Sequence, residues 1–343
     1  MNGTMIGMTG KALRAACVLA LILLASPLHG QRPITIRMAS PVPENTPWGQ
    51  FLNLLADDWR RITNGQVDMV VFHNRTAGTE ESVVRRLRQN QLQAASLSTF
   101  GLTQVVPEVM TISCPFFIRS DEELDLVMAE LQSELDAKIA ENGFFNLAWT
   151  RVGWVNFFSK TPILVPDDLK RQRLGTISEY ESLNQAFRTM GFQMVPVAQN
   201  EVLIALNSPM VDAVYHSPAV VGNTQIFGLA RNMASIKVAP FMGAVVFNRR
   251  AWNSIPDNFK PQLIAITRQR EAELDAAVRE FEENVMAVMQ RHGLAVNQLS
   301  PAQEQLWYDE VGRAMPQLVG TLFDRSMYNR IEAILTRHRN QQR

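Results

Sequence analysis

Residues 254–293 read SIPDNFKPQLIAITRQREAELDAAVREFEENVMAVMQRHG. Ser254 offers an N-cap hydroxyl, Pro256 falls early in the first turn and Asp257 places an acid at N3. The helical pattern runs to His292, and Gly293 supplies a C′ stop. Pro261 either kinks the first turns or marks the true start. At 1.5 Å per residue, about 37 residues span ~55 Å, more than the diameter of one small domain. The spacing predicts a single helix over 257–292 that lies across two lobes. Glu273, Glu280, Glu282 and Glu283 are expected on its exposed side.

Strand and helix alternate ahead of this segment. Residues 34–39 alternate apolar and polar side chains, as a strand does. Thr46-Pro47 then reads as an N-cap with proline at N1. Trp48, Phe51, Leu55, Trp59 and Ile62 follow at helical spacing, and Asn64-Gly65 ends that helix. Further strands are expected at 67–72, 93–98, 144–150, 154–159, 174–177, 194–197, 211–215 and 244–247. Helices are expected at 80–91, 121–142 and 182–190. The alternation points to an α/β architecture.

The length of 343 residues, with 46% apolar and 19% charged residues, suits a globular chain of about two domains. Lys+Arg and Asp+Glu both number 33. Removing the first thirty residues, which hold Lys11 and Arg14 and no acid, leaves 31 against 33. A balance of about −2 argues against a general nucleic-acid binder. Those thirty residues read as an export signal. The apolar run Ala15 to Ala25 is shorter than the roughly 20 residues needed to span a bilayer, and Ser26, Pro27 and Gly30 break it. Cleavage near Gly30 is expected, with a retained N-terminal anchor as the alternative. Cys114 is then the single cysteine of the mature chain, which leaves no internal disulfide. It is expected to be buried as a small apolar residue.

The search for an active site returns little. His29, His73, His216, His292 and His338 show no zinc-binding spacing, and there is no C-x-x-C or G-x-S-x-G. No metal or cofactor is expected. Glu80-Glu81 suits a helix start, and Arg85, Arg86 and Arg88 suit a solvated helix face. A lone Tyr215 or His216 working as an acid–base group on a binding scaffold is the enzymatic alternative. An exported sensor or scaffold is another.

Several short motifs, in order, resemble the solute-binding subunit of TRAP transporters, the DctP-like family. They include Ile36-Arg37-Met38-Ala39 through Pro47-Trp48-Gly49, Asn64-Gly65-Gln66-Val67 and Ala77-Gly78-Thr79-Glu80-Glu81. Val106-Pro107-Glu108, Cys114-Pro115-Phe116-Phe117 and Pro166-Asp167-Asp168-Leu169-Lys170 follow. Glu201 through Leu206, Val211-Asp212-Ala213, Phe247 through Trp252 and Ile255-Pro256 complete the series, over roughly Ile34 to Met315. The resemblance implies an α/β, two-lobed periplasmic solute-binding protein fold with an interlobe cleft and a long spanning helix. It implies capture of a small molecule for TRAP membrane permease subunits, and no catalysis. The corresponding division is a signal at 1–30, lobe 1 at 31–152 and 243–285, lobe 2 at 153–242 and 286–312, and a C-terminal helical extension at 313–343.

The departures from the family bear on the ligand. The family's strand after D-L-K-G ends in an arginine that grips the ligand carboxylate, and here that position is Gly175. Arg173 lies two residues earlier on the same strand face, so a shifted arginine is an alternative. A second polar position, often arginine, falls at Val155, and the polar position after V-D-G/A is Tyr215, followed by His216. By position in the resemblance, Trp48, Phe100, Trp154, Tyr215, Phe241 and Met242 fall near the cleft, though each has an ordinary core role as its alternative. An isolated carboxylate among them would lose hydration without a paired cation. A hydrophobic or uncharged ligand is therefore expected. The missing arginine is also a trait of a branch that works with a tetratricopeptide-repeat partner protein.

Overall fold

The computed structural model describes residues 33–177, 181–198 and 201–342. The expected export signal at 1–30 lies outside the described residues. Among the described residues ten strands run in chain order: β1 (Ile34–Ala39), β2 (Val67–Phe72), β3 (Ala94–Ser98), β4 (Phe144–Ser159), β5 (Arg173–Ile177), β6 (Gln193–Val197), β7 (Ala213–His216), β8 (Asn232–Ala234), β9 (Ala239–Asn248) and β10 (Ala295–Asn297). Their order is β2-β1-β3-β9-β4-β7-β5-β6, with β8 beside β4 and β10 beside β8.

The ladder divides into two lobes along β4. Parallel β1–β2 and β1–β3 pairs meet antiparallel β9, which pairs with β4 from Phe144 to Val155. The far end of β4, Asn156–Ser159, pairs instead with β7, and β7 leads to β5 and β6. Strands expected separately at 144–150 and 154–159 are thus one 16-residue strand. Register shifts at Asn146/Ala148 and Arg151/Gly153 bend it, and Gly153 takes φ +105°, which suits a bulge. The break that the sequence suggests is a kink inside a continuous crossing strand.

The long helix spans Lys260–Arg291, 32 residues or about 48 Å. Pro261 sits in its first turn and so marks the start. The Ser254 N-cap expectation is corrected. Ser254 ends the separate short helix Arg249–Ser254, and its hydroxyl donates to the Ala251 carbonyl at 2.7 Å. Leu263, Leu274 and Val278 of the long helix join the lobe 1 core around Trp59, Phe247 and Trp252, while Met289 joins the lobe 2 core around Phe158, Val214 and Met233. One helix therefore contributes side chains to both lobes.

Thr46 caps the Pro47–Ile62 helix, accepting from the Gly49 N–H, as its sequence predicts. The last helix, Arg325–Gln341, is part of the core and not an appendage. Met327, Ile331, Ile334 and Leu335 pack with Leu124, Val127 and Leu131 of the Asp121–Glu141 helix. Cys114 is fully buried and its Sγ lies 3.6 Å from Met315 Sδ. Burial pushes its thiol well above the usual range. Among the described residues no helix is long and apolar enough to cross a membrane, and no cluster of three His, Cys, Asp or Glu could hold a metal.

Candidate functional site

A cavity of about 530 Å³ opens where the two lobes and the long helix meet. Its lobe 1 side is the start of the Asp121–Glu141 helix with Arg151 of β4. Its lobe 2 side is Asn156, Pro218, Met233, Ser235 and Lys237, and the long helix closes it with Asp275, Val278, Arg279, Glu282, Glu283 and Met286. The volume falls within the ~300–1,000 Å³ common for small-molecule sites. Position follows from the crossing strand: β4, kinked at Gly153, carries Arg151, Trp154 and Asn156 along the cavity from one lobe to the other.

The wall is more charged than the sequence suggests. Trp154, Phe241, Met233, Met286, Leu124 and Val278 supply apolar surface, but seven charged side chains stand among them. Four are acids (Asp121, Asp275, Glu282, Glu283) and three are bases (Arg151, Lys237, Arg279). Most of the bases are engaged. Arg151 pairs with Asp125 and lies 3.9 Å from Asp121. Lys237 bonds Asp121 at 3.1 Å and lies 4.7 Å from the Trp154 ring centroid. The Trp154 indole N–H also donates to Asp121, at 3.0 Å. Burial works against ionisation of Asp121, but the Trp154 and Lys237 contacts hold its carboxyl below the usual range.

Glu282 is the exception. Its Oε1 is buried and accepts no hydrogen bond. A Cβ placed on Gly153 would run into that oxygen, so the glycine gives the carboxyl its room. Burial, reinforced by nearby Asp121, pushes the Glu282 carboxyl up to about 7. Asn156 is held by its amide donating to the Ile236 carbonyl at 2.9 Å. Trp48 braces the same wall from behind, donating to the Arg151 carbonyl at 2.8 Å and meeting Phe281 edge-on at 6.0 Å.

Of the residues singled out in the sequence, Trp154 and Phe241 line this cavity. Phe100 stands one layer behind, 5.5 Å from Phe241. Met242 is buried in lobe 1, where its carbonyl accepts from the Thr99 hydroxyl at 3.1 Å. Tyr215 packs between Phe157 and Phe187 in lobe 2, and burial pushes its phenol upward. His216 lies opposite Asn156 in the β4–β7 pairing, and burial pushes its imidazole down to about 4, so it is neutral at pH 7.

Gly175 does not open on the cavity. A Cβ there would come within 2.7 Å of Val211 Cγ1, because β5 packs that face against the residues just ahead of β7. The shifted-arginine alternative is also corrected. Arg173 forks onto Asp212, Nε to Oδ2 at 2.7 Å and Nη2 to Oδ1 at 2.9 Å, so its guanidinium is already matched. The expectation of an apolar wall fails on the seven charges. Sequence reasoning placed Glu282 on the solvated side of the long helix. The missed signal is that it lies four residues from both Val278 and Met286, on the helix's inward stripe.

Two lobes joined by crossing strands, with a charged and aromatic cavity between them, define a solute-binding protein of the two-lobed α/β class. The chain matches the model of bacterial extracellular solute-binding protein, family 7, over residues 38–319, and belongs to that family. This agrees with the TRAP-type resemblance of its motifs. The C4-dicarboxylate-binding periplasmic protein DctP of Rhodobacter capsulatus is 25% identical over 304 residues, 88% of this chain and 90% of that one. The 2,3-diketo-L-gulonate-binding periplasmic protein YiaO of Escherichia coli is 20% identical over 68% of this chain and 72% of that one. Among solved structures, a TRAP periplasmic solute-binding protein from Ralstonia eutropha with bound (S)-2-acetolactate superposes with a TM-score of 0.80 at 18% identity, covering 89% of this chain and 99% of that one. One from Sulfurospirillum deleyianum with bound succinate gives 0.77 at 22% identity, covering 88% and 98%.

Proposed function

We propose that this protein is the extracytoplasmic solute-binding subunit of a TRAP-type transporter, and that its ligand is a small amphipathic solute without net negative charge that donates a hydrogen bond to Glu282. Family membership supports the transport role and delivery to a membrane permease. The observation that carries the ligand class is the orphaned Glu282 Oε1 at the cavity wall. A buried acceptor without a donor costs about 1–3 kcal/mol, which a ligand N–H or O–H would recover. Trp154, Phe241, Met233 and Met286 would cover the apolar part, at about 25 cal/mol per Å² buried. A carboxylate would face Asp121, Asp275 and Glu283, while Arg151 and Arg173 are held by acids.

A second reading, a small organic acid, rests on Arg279. It lines the cavity and, among the described residues, makes no ion pair. The relatives with bound succinate or acetolactate favour it too. Calorimetry separates the two. Neutral or cationic amphipathic solutes should bind, acids should not, and Glu282→Gln should weaken binding about tenfold. Tight binding of succinate, galacturonate or acetolactate that Arg279→Gln abolishes would establish the second reading instead. Native mass spectrometry of freshly purified protein identifies whatever occupies the cleft. The rest of the proposal is export with a mature start near Gln31, checked by N-terminal sequencing, and a tetratricopeptide-repeat partner, checked by co-purification.

A further inference from the structure

We propose that the cavity beneath the two C-terminal helices is a second ligand site, built for a small aromatic monocarboxylate. It holds about 210 Å³ between the Cys114–Arg119 turn, the Pro301–Leu318 helix and the Arg325–Gln341 helix. It is separate from the interlobe cavity and shares no lining residue with it. The size is below the ~300–1,000 Å³ of sites for larger ligands, which limits the occupant to about one ring and its substituent.

The recognition group is Arg119. Its guanidinium carbon lies 3.5 Å from the Tyr308 ring centroid, and its Nε donates to the Phe116 carbonyl at 3.3 Å. Among the described residues its two terminal amino groups have no acceptor. Arg339, on the opposite wall, is satisfied: Nε and Nη2 fork onto Glu123 at 2.7 and 2.8 Å, and Nη2 also reaches the Phe117 carbonyl at 2.8 Å. Glu123 is spent in the process, since it also accepts the Arg119 backbone N–H at 2.8 Å. The one buried carboxylate beside the two guanidinium groups is thus taken by Arg339 and by the Arg119 backbone, and leaves the Arg119 guanidinium without a bonded acid among the described residues. Burial, and the like charge of Arg339, hold the Arg119 pKa below its ordinary value.

The remaining walls choose the ligand. Phe117 and Tyr328 stack at 4.3 Å and 3°, and Val311, Met315 and Leu335 complete an apolar lining. A planar carboxylate matches the terminal edge of the Arg119 fork, and an aromatic body matches the ring wall. Exposed Glu332 stands at the lining, and Glu304 acts on Arg119 from nearby, so a second negative charge on the ligand would be repelled. The turn that carries Arg119 is fixed in place by its backbone. Phe116 has φ +58°, rare for an aromatic residue, and its N–H donates to the Val238 carbonyl at 2.6 Å.

The test uses benzoate and the whole protein labelled with methyl-13C methionine. Met315 lines this cavity, while Met233 and Met286 line the interlobe cavity. Benzoate should shift the Met315 methyl saturably at millimolar concentration and leave Met233 and Met286 in place. Benzamide, without the charge, should bind at least tenfold more weakly. Arg119→Gln should abolish the shift. Arg119→Lys, which keeps the charge but loses the fork and the stacking, should weaken it about tenfold and guards against a folding failure of the first variant. No saturable Met315 shift, equal binding to Arg119→Lys, or a shift at Met233 and Met286 alone would overturn the proposal. None of these results bears on the ligand class assigned to the interlobe cleft.

Discussion

Single positions in this chain act through the room they leave as much as through the groups they carry. Gly153 and Gly175 make the contrast. At Gly153 a methyl group meets the Glu282 carboxyl and a backbone with φ +105°. Gly153→Ala should therefore lower stability by about 1–3 kcal/mol and impair cleft binding together, read by urea unfolding and calorimetry. At Gly175 the obstacle is Val211, inside lobe 2. Gly175→Ala should cost about 1–3 kcal/mol of stability by overpacking and leave affinity unchanged in the folded fraction. Restoring the family arginine at 175 would therefore disrupt the lobe before it could act on a ligand. Glu282 carries a pH signature. Its carboxyl ionises near 4.5 when unfolded and near 7 when folded. Between those values the folded protein holds a proton that the unfolded chain has lost, so stability falls as pH rises through the window and levels off above 7. Glu271, also raised to about 7 by burial, has the same sign. Glu282→Gln should flatten the decline by about 1–2 kcal/mol, measured by urea unfolding between pH 5 and 8. An unchanged slope would mean that Glu282 is ionised in the folded protein.

The elements were legible where local chemistry decides them. Thr46-Pro47 marks a helix start by its side-chain cap, and the helix expected at 121–142 is found at Asp121–Glu141. Strands β1 and β2 fall on their expected residues because alternation and turns are local signals. The missed features depend on distant partners. β8 and β10 are three residues each and exist only by pairing with one another and with β4. β4 looked like two strands because a bulge interrupts the alternation, while pairing to β9 keeps it whole. The site was half legible for the same reason. Trp154 belongs to a strand the sequence reveals and Phe241 to the part of β9 ahead of the expected 244–247, but the charged wall gathers residues 121, 151, 237, 275, 279, 282 and 283, which only the fold brings together. The long helix shows how such an element is fixed: its apolar stripe serves lobe 1 through Leu274 and Val278 and lobe 2 through Met289. Leu274→Ala should cost about 2–5 kcal/mol in urea unfolding, since that side chain is almost wholly buried in the lobe 1 core. A loss well under 1 kcal/mol would show that the helix is not anchored there.

At the scale of the molecule, the two lobes are joined by elements that cross between them, with the Lys237–Asp121 pair and the Phe116 N–H to Val238 carbonyl bond as further links. β4 is the strand common to both sheets, β9 runs beside it across the junction, and the long helix covers both. Rotation of one lobe against the other would be absorbed where these elements are already irregular. Such sites are the β4 shift at Arg151/Gly153 and the facing start of β9. The cavity lies at that junction, so a ligand held by Glu282 on the long helix and by Asn156 and Met233 on lobe 2 would contact groups whose separation changes with rotation. A ligand shifts such an equilibrium only by its different affinity for the open and closed forms, and the orphaned Glu282 oxygen supplies one source of that difference. Binding should therefore close the lobes. Small-angle scattering with saturating ligand should give a smaller radius of gyration than without, and Glu282→Gln should reduce the change at equal ligand concentration. Confirmed binding with an unaltered scattering curve would mean that the cavity is preformed. The Arg151/Gly153 irregularity would then serve to aim side chains and not to bend.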